Sequence, residues 1–210
     1  MAYIVGLTAT DGCLFSSRRK INFKSMDREL VQTYLQLLGR TNRVKSQRTT
    51  AGGNVYFAEF ADTRLYGWFQ HIGLMPRKSL ALGPIDVPDA HLLPLIRGLL
   101  DGDGTIQNFV HRPTVKKYAE YRYERLWVYF TSASRPHLEW VSSRLASALG
   151  VSGYLATRPA RDRRHAFYTL KYGKRDSITL LRALYPNDQV PRLTRKWAIW
   201  SSYEKRALAS

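Results

Sequence analysis

The chain has 210 residues, 44% apolar and 12% aromatic, enough to bury a substantial core in one large domain or two small ones. Its 33 Lys and Arg stand against 16 Asp and Glu, and a folded chain of net charge +17 needs a polyanionic partner, because its own field otherwise opposes compaction. Nucleic acid fits that need through counterion release; a membrane does not, since neither a basic amphipathic anchor nor an apolar run of spanning length occurs.

Cys13 is the sole cysteine, which excludes a disulfide framework and a cysteine-based zinc site, and the five histidines have no zinc-ligand spacing. The first residues lack a charged segment followed by a signal-like apolar core, so an intracellular, unsecreted protein is expected.

Taken in chain order, residues 4–12 read IVGLTATDG and predict a helix ending in Asp-Gly. A strand over 19–24 follows, then a helix over 28–38 stopped by Gly39. Strands over 43–48 and 55–60 flank the turn Ala51-Gly52-Gly53-Asn54, and an apolar helix is predicted over 63–72. After the basic stretch Pro76-Arg77-Lys78, residues 83–89, with Pro84 and Pro88, read as a connection.

The chain then repeats itself. Residues 96–104 read IRGLLDGDG, so that Gly6, Leu7, Asp11 and Gly12 recur as Gly98, Leu99, Asp103 and Gly104. A strand over 126–131 and a helix over 136–149, stopped by Gly150, follow the second motif. Strands over 153–158 and 166–172 flank a basic loop with Arg161, Arg163 and Arg164; next come a helix over 177–184, the stretch Pro191-Arg192-Leu193 and a closing helix over 194–208. The order is helix, two strands, helix, two strands, helix, twice over, dividing the chain into residues 1–82, a linker 83–91, and 92–210. The second half carries 19 extra residues before its second helix, which lengthen its first hairpin through residues 110–125.

In helical conformation Gly6 and Thr10 share a face, as do Gly98 and Gly102. Small residues four apart let two backbones approach closely, and close packing would offset the roughly 1 kcal/mol that each helical glycine costs. Gly12 and Gly104 would permit a left-handed turn into the next strand. Asp11 and Asp103 would then face each other at helix C-termini, where the dipole and their mutual repulsion both disfavour two negative charges. A divalent cation resolves both problems and leaves a site half-built for phosphodiester chemistry. The run Asp101-Gly102-Asp103-Gly104 is not a calcium loop, because its glycine comes too early and the twelfth position is Arg112.

These two motifs resemble the paired signatures of LAGLIDADG homing endonucleases in their single-chain form, and the repeated element order extends the resemblance over essentially the whole chain. The resemblance implies an α+β fold of two pseudo-symmetric αββαββα halves, each with a curved antiparallel sheet, joined by the packed motif helices. It implies Asp11 and Asp103 as ligands of Mg²⁺, with Mn²⁺ substituting and Ca²⁺ supporting binding without cleavage. On the same analogy the carbonyls of Thr10 and Gly102 are expected to add contacts to the metal. Asp101 matches the signature's earlier acid, but its counterpart is Ala9, so it is not assigned as a ligand. Lys78 falls where the family often keeps a basic residue beside the reacting phosphate; in the second half Arg192, Thr194, Arg195 and Lys196 compete for that role. The implied partner is double-stranded DNA bound by a monomer, with the chain intron-encoded and DNA-associated.

Strand alternation identifies the outward side chains. Ile21 and Phe23 inward place Lys20, Asn22 and Lys24 outward, with Arg19 beside them; Val44 inward places Arg43, Lys45 and Gln47 outward. Gln107 and His111 share one face, as do Arg125, Trp127 and Tyr129, and Arg158 and Lys171 complete the expected DNA surface with the loop arginines. The longer hairpin, with Arg112, Lys116, Lys117, Arg122 and Arg125, is expected to extend contacts to one side of an asymmetric target. Two other functions share this scaffold: an intron maturase binding structured RNA, and a catalytically silent DNA-binding protein.

Overall fold

The computed structural model describes residues 1–111, 122–159 and 166–209. The first half runs α1 (Ala2–Asp11), β1 (Gly12–Phe15), β2 (Lys20–Ser25), α2 (Arg28–Leu37), β3 (Lys45–Arg48), β4 (Asn54–Ala61) and α3 (Thr63–His71). A 3₁₀ turn (Asp89–His91) leads into the second: α4 (Leu92–Asp101), β5 (Thr105–His111), β6 (Tyr123–Ser132), α5 (Arg135–Leu149), β7 (Gly153–Arg158), β8 (Phe167–Tyr172) and α6 (Lys174–Leu184). A last helix, α7 (Thr194–Ala209), follows. Each half forms a four-stranded antiparallel sheet of the same topology, β1-β2-β4-β3 and β5-β6-β8-β7, so the fold is α+β with two pseudo-symmetric halves. Among the described residues no helix is long and apolar enough to cross a membrane.

Each sheet has one face on the core. Along β2, Ile21, Phe23 and Ser25 are buried, while along β6 it is Leu126, Val128 and Phe130. Helix α2 presents Leu30, Val31, Tyr34 and Leu35 to its sheet, with the Tyr34 ring stacked on Phe23 at 4.2 Å between centroids. Helix α5 does the same with Leu138, Val141 and Leu145. Both of these helices are stopped by a left-handed glycine, Gly39 at φ +63° and Gly150 at φ +65°, where a side chain would be strained.

Between the two sheets lies the pair α1 and α4. Helix α1 is buried continuously from Tyr3 to Ala9, as expected of a helix that is apolar all round. A Cβ built on Gly6 would stand 2.2 Å from the carbonyl oxygen of Leu95, and one on Gly98 would stand 2.2 Å from that of Tyr3. The two backbones therefore touch directly, and apolar residues from both halves merge into one core.

Two local expectations are corrected. Helix α4 begins at Leu92, with Pro94 in its first turn where no amide donor is needed, and ends at Asp101, so Asp103 lies in the turn beyond the helix. Gly12 is extended at φ −84°, ψ 151°, and Gly104 is not among the positive-φ residues, so neither makes a left-handed turn. What demands glycine there is space. A Cβ on Gly12 would meet the carbonyl oxygen of Thr8 at 2.6 Å, and one on Gly104 would meet Leu100 at 2.7 Å.

Candidate active site

Asp11 is the last residue of α1, and Asp103 sits two residues past the end of α4. Gly102 brings the two motif ends together. A Cβ there would lie 2.0 Å from Thr10 Oγ1 and 3.1 Å from Asp11 Oδ2, so the first-half carboxylate rests against the second-half turn. Thr10 turns its hydroxyl back into the helix, donating to the carbonyl of Leu7 at 2.9 Å. That leaves its main-chain carbonyl at the helix end.

Burial raises the pKa of Asp11, the negative charge of Asp103 raises it further, and the group is pushed up to about 7. Asp103 is open to solvent on one side, yet the walls of the cleft desolvate it enough to raise its pKa as well. Two lysines oppose this effect. Lys78 Nζ donates to the carbonyl of Gly12 and, at 3.5 Å, to that of Thr10. Lys196 Nζ donates to the carbonyls of Leu100, Asp101 and Gly102 at 2.7, 2.8 and 2.8 Å. Each ammonium thus sits on the negative end of a motif helix. Both lysines are buried, and burial lowers both pKa values, that of Lys196 to about 8.

Among the described residues no three His, Cys, Asp or Glu side chains cluster together. The oxygen-only set of two carboxylates and nearby carbonyls suits a hard divalent cation that keeps water and phosphate oxygens in its remaining positions. The carbonyls of Thr10 and Gly102 already accept a lysine hydrogen bond each, so a cation there would use their second lone pair.

The lysine-bearing segments are each held by the opposite half. After Lys78, the chain passes α5: Ser134 Oγ donates to the carbonyl of Leu82, His137 Nδ1 to that of Gly83 at 3.0 Å, and Arg144 Nη2 to Asp89 Oδ1 at 2.7 Å. Beside Lys196, Arg195 makes a two-pronged ion pair with Asp27 at the start of α2, both contacts 2.8 Å, and Thr194 donates to Glu29.

A cleft containing Thr10, Asp103, Thr131 and Phe167 opens at the motif ends and continues, through Thr131 and Phe167, into a shallow groove over Gln107, Tyr129 and Arg158. On this second sheet Gln107 stands opposite Trp127, and Tyr129 opposite Lys171. Lys171 Nζ lies 3.3 Å from the Trp127 ring centroid, a cation–π contact, and Arg125 and His111 are exposed farther out. On the first sheet Lys20 pairs with Glu59 at 2.7 Å, Asn22 is half-buried, and Arg19 and Lys24 are exposed. Every residue of β3 is exposed, Lys45 and Gln47 included; just ahead of the strand Val44 packs against the core as expected, and Arg43 before it is exposed. Arg112, Lys116, Lys117, Arg161, Arg163 and Arg164 lie outside the described residues.

The family model of a LAGLIDADG-like domain matches residues 1–72 and 91–184. The chain belongs to the LAGLIDADG family. Among solved structures, the homing endonuclease I-WcaI bound to its DNA recognition sequence aligns with 93% of this chain and 84% of its own, at TM-score 0.61 and 8% identity. I-DmoI in complex with DNA and Ca aligns over 95% and 96%, at TM-score 0.55 and 19% identity. Full-length DUF199/WhiA from Thermatoga maritima aligns over 98% of this chain and 66% of its own, at TM-score 0.58 and 12% identity. These likenesses establish the LAGLIDADG fold. A comparison with curated protein sequences finds no match.

Two features of this LAGLIDADG chain were beyond sequence reasoning. Lys196, one of four competing residues, is the one seated on the second motif helix; the available signal was an apolar residue four positions on, Leu82 after Lys78 and Trp200 after Lys196, both buried. Asp101 is wholly buried and accepts from Tyr3 Oη at 2.8 Å, Tyr185 Oη at 2.7 Å and Leu193 N at 3.0 Å, partners that no local pattern links.

Proposed function

We propose that the chain is a site-specific homing endonuclease that makes metal-dependent double-strand breaks in a long, asymmetric DNA target. The observation that carries this reading is the approach of Asp11 to the turn that bears Asp103, across glycine-packed helices, with Asp103 lining a cleft that continues toward Arg158 on the second sheet. A silent binder needs no such pair, since two raised carboxylates cost stability unless a cation joins them. Asp11, Asp103 and the carbonyls of Thr10 and Gly102 hold the ion, with Mg²⁺ the working metal, Mn²⁺ a substitute and Ca²⁺ supporting binding alone. The bound ion supplies charge neutralisation at the scissile phosphate and a more acidic attacking water. Lys78 and Lys196 hold positive charge beside the two motif ends, available to the phosphates as negative charge develops.

Residues 1–82 and 92–210 act as the two DNA-reading units on either side of the linker, each contributing one sheet. The duplex lies along the outward faces, where Lys20, Asn22, Lys24, Gln107, Arg125, Trp127, Tyr129 and Lys171 contact bases or phosphates. Two motifs in one chain make a monomer sufficient, and the protein works inside the cell as an intron-encoded enzyme. DNA complexes of I-WcaI and I-DmoI, which share the fold, support a duplex partner.

The test is selection of bound duplexes from a random library in Ca²⁺, followed by Mg²⁺ and sequencing of new ends, beside Asp11→Asn/Asp103→Asn. Discrete double-strand ends absent from the variant support the reading. Specific binding without cutting demotes the protein to a silent binder, and absence of DNA selectivity turns the search to intron RNA.

A further inference from the structure

Resting on the nuclease reading, we propose that Asp101 is a positioning residue for Lys196, and that the second-half site depends on it in a way the first-half site, with Ala9 at the matching place, does not. Asp101 is the last residue of α4 and is 0% exposed. Its carboxylate accepts three hydrogen bonds from three distant parts of the chain: Tyr3 in α1, Tyr185 after α6 and the amide of Leu193 ahead of α7. The third contact is the one that matters for chemistry. The Leu193 carbonyl receives the amides of Lys196 and Trp197, both at 3.1 Å, so Leu193 starts the first turn of α7. By fixing Leu193, the carboxylate fixes the turn from which the Lys196 side chain departs. At the far end of that side chain, Nζ is bound by the carbonyls of Leu100, Gly102 and Asp101 itself. One residue therefore holds the lysine at both ends, through its carboxylate at the backbone and through its carbonyl at the ammonium.

The first half solves the same problem differently. Lys78 reaches the carbonyls of Thr10 and Gly12 from a single turn whose own carbonyl accepts from Ala81 and Leu82, and Leu82 and Gly83 are anchored on α5. Among the described residues no carboxylate takes part in these contacts, and Ala9 stands at that motif position. The two strand cuts thus depend on different supports.

Asp101→Asn keeps the shape but replaces an acceptor oxygen with an amide donor, leaving too few acceptors for three donors. The experiment measures nicking of each strand separately, with DNA fully bound and in single turnover, for wild type, Lys196→Ala, Asp101→Asn, Tyr185→Phe and Lys196→Ala/Asp101→Asn. Metal-free melting and DNA affinity in Ca²⁺ are measured on each. Asp101→Asn is expected to slow the strand that Lys196→Ala slows, by up to about a hundredfold, the scale of an ångström's misplacement. It should leave the other strand near the wild-type rate, leave affinity in Ca²⁺ unchanged, and add nothing in the Lys196→Ala background. Tyr185→Phe, which removes one donor and keeps the ring, should slow the same strand less, and carries the test if Asp101→Asn does not fold.

Equal slowing of both strands by Asp101→Asn or by Lys196→Ala would overturn the proposal, as would a further loss in the double variant. A wild type that binds its site and cuts neither strand would fell the nuclease reading, and this inference with it.

Discussion

Gly6 and Gly98 face each other across the helix pair so closely that a methyl group on either would run into the other helix's backbone, at 2.2 Å from the carbonyl of Leu95 or Tyr3 respectively. The obstacle is backbone on both sides, which cannot rotate away as a side chain can.

Gly98→Ala should therefore destabilise the protein despite the better helix propensity of alanine. About 1 kcal/mol gained in propensity is set against overpacking of about 3 kcal/mol or more, a net loss of about 2 kcal/mol or more. Urea denaturation measures it. A change within about 0.5 kcal/mol, the range of an ordinary surface substitution, would mean that the helices can separate at little cost.

Asp11→Asn should abolish cleavage and, in the absence of metal, raise stability at pH 8. With its pKa pushed up to about 7, Asp11 is held in an unfavourable charged form there. Removing that charge is expected to stabilise by about 1–2 kcal/mol after allowance for solvent screening. The same variant should lose the thermal stabilisation that Mg²⁺ gives the wild type. A lower melting temperature in metal-free buffer at pH 8 would contradict the charge conflict.

Without metal, stability should pass through a minimum near neutral pH. Asp11, at about 7, and Asp101, at about 6, both lie above the ordinary 3.8, so the folded state holds extra protons and stability falls as pH rises from about 4 to 7. Lys196 lies at about 8, below the ordinary 10.5, so the folded state sheds its proton first and stability rises again from about 8 to 10.5. Divalent metal competes with the Asp11 proton, and its affinity should climb with pH until about 7. Melting temperatures across pH 4–10, with and without Mg²⁺, test both limbs; a single rising slope without metal would refute the assignment.

Lys196→Ala should cost more stability than Lys78→Ala, since it strips a buried cation from three carbonyls rather than two. Each variant is expected to slow one strand by about a hundredfold or more, the scale of losing one charge-stabilising group. Strand-specific nicking reads both effects, and equal rates for the two strands in both variants would show that the lysines act on the fold alone.

The repeated architecture was legible because its signals are local. The motif glycines recur at a constant offset, Gly39 and Gly150 stop equivalent helices, and the inward residues of β2 and β6 alternate. The errors arose where tertiary contact decides. Gly12 and Gly104 look like turn residues, yet they are required by crowding against Thr8 and Leu100, which no local pattern displays. Lys196 was hidden because it reaches the second motif end from the first turn of α7, whereas Lys78 reaches the first from a turn outside any helix, and the segments before the two lysines differ in length. Asp101 has no first-half counterpart, and its three donors come from positions 3, 185 and 193.

The crossed anchoring of the lysine segments bears on how such proteins can be recombined. Asp27 and Glu29 hold the turn that carries Lys196, and Ser134 and His137 hold the residues that follow Lys78. A half transplanted onto another partner would keep the contacts its lysine makes within that half but leave behind those that steady the lysine segment from the opposite one. The unit that can be exchanged without loss is therefore not residues 1–82 or 92–210 alone, but either of them together with the opposing helix start. Chimaeras that respect this boundary keep both the contacts within each half and those across the halves; those cut at the linker lose the second kind.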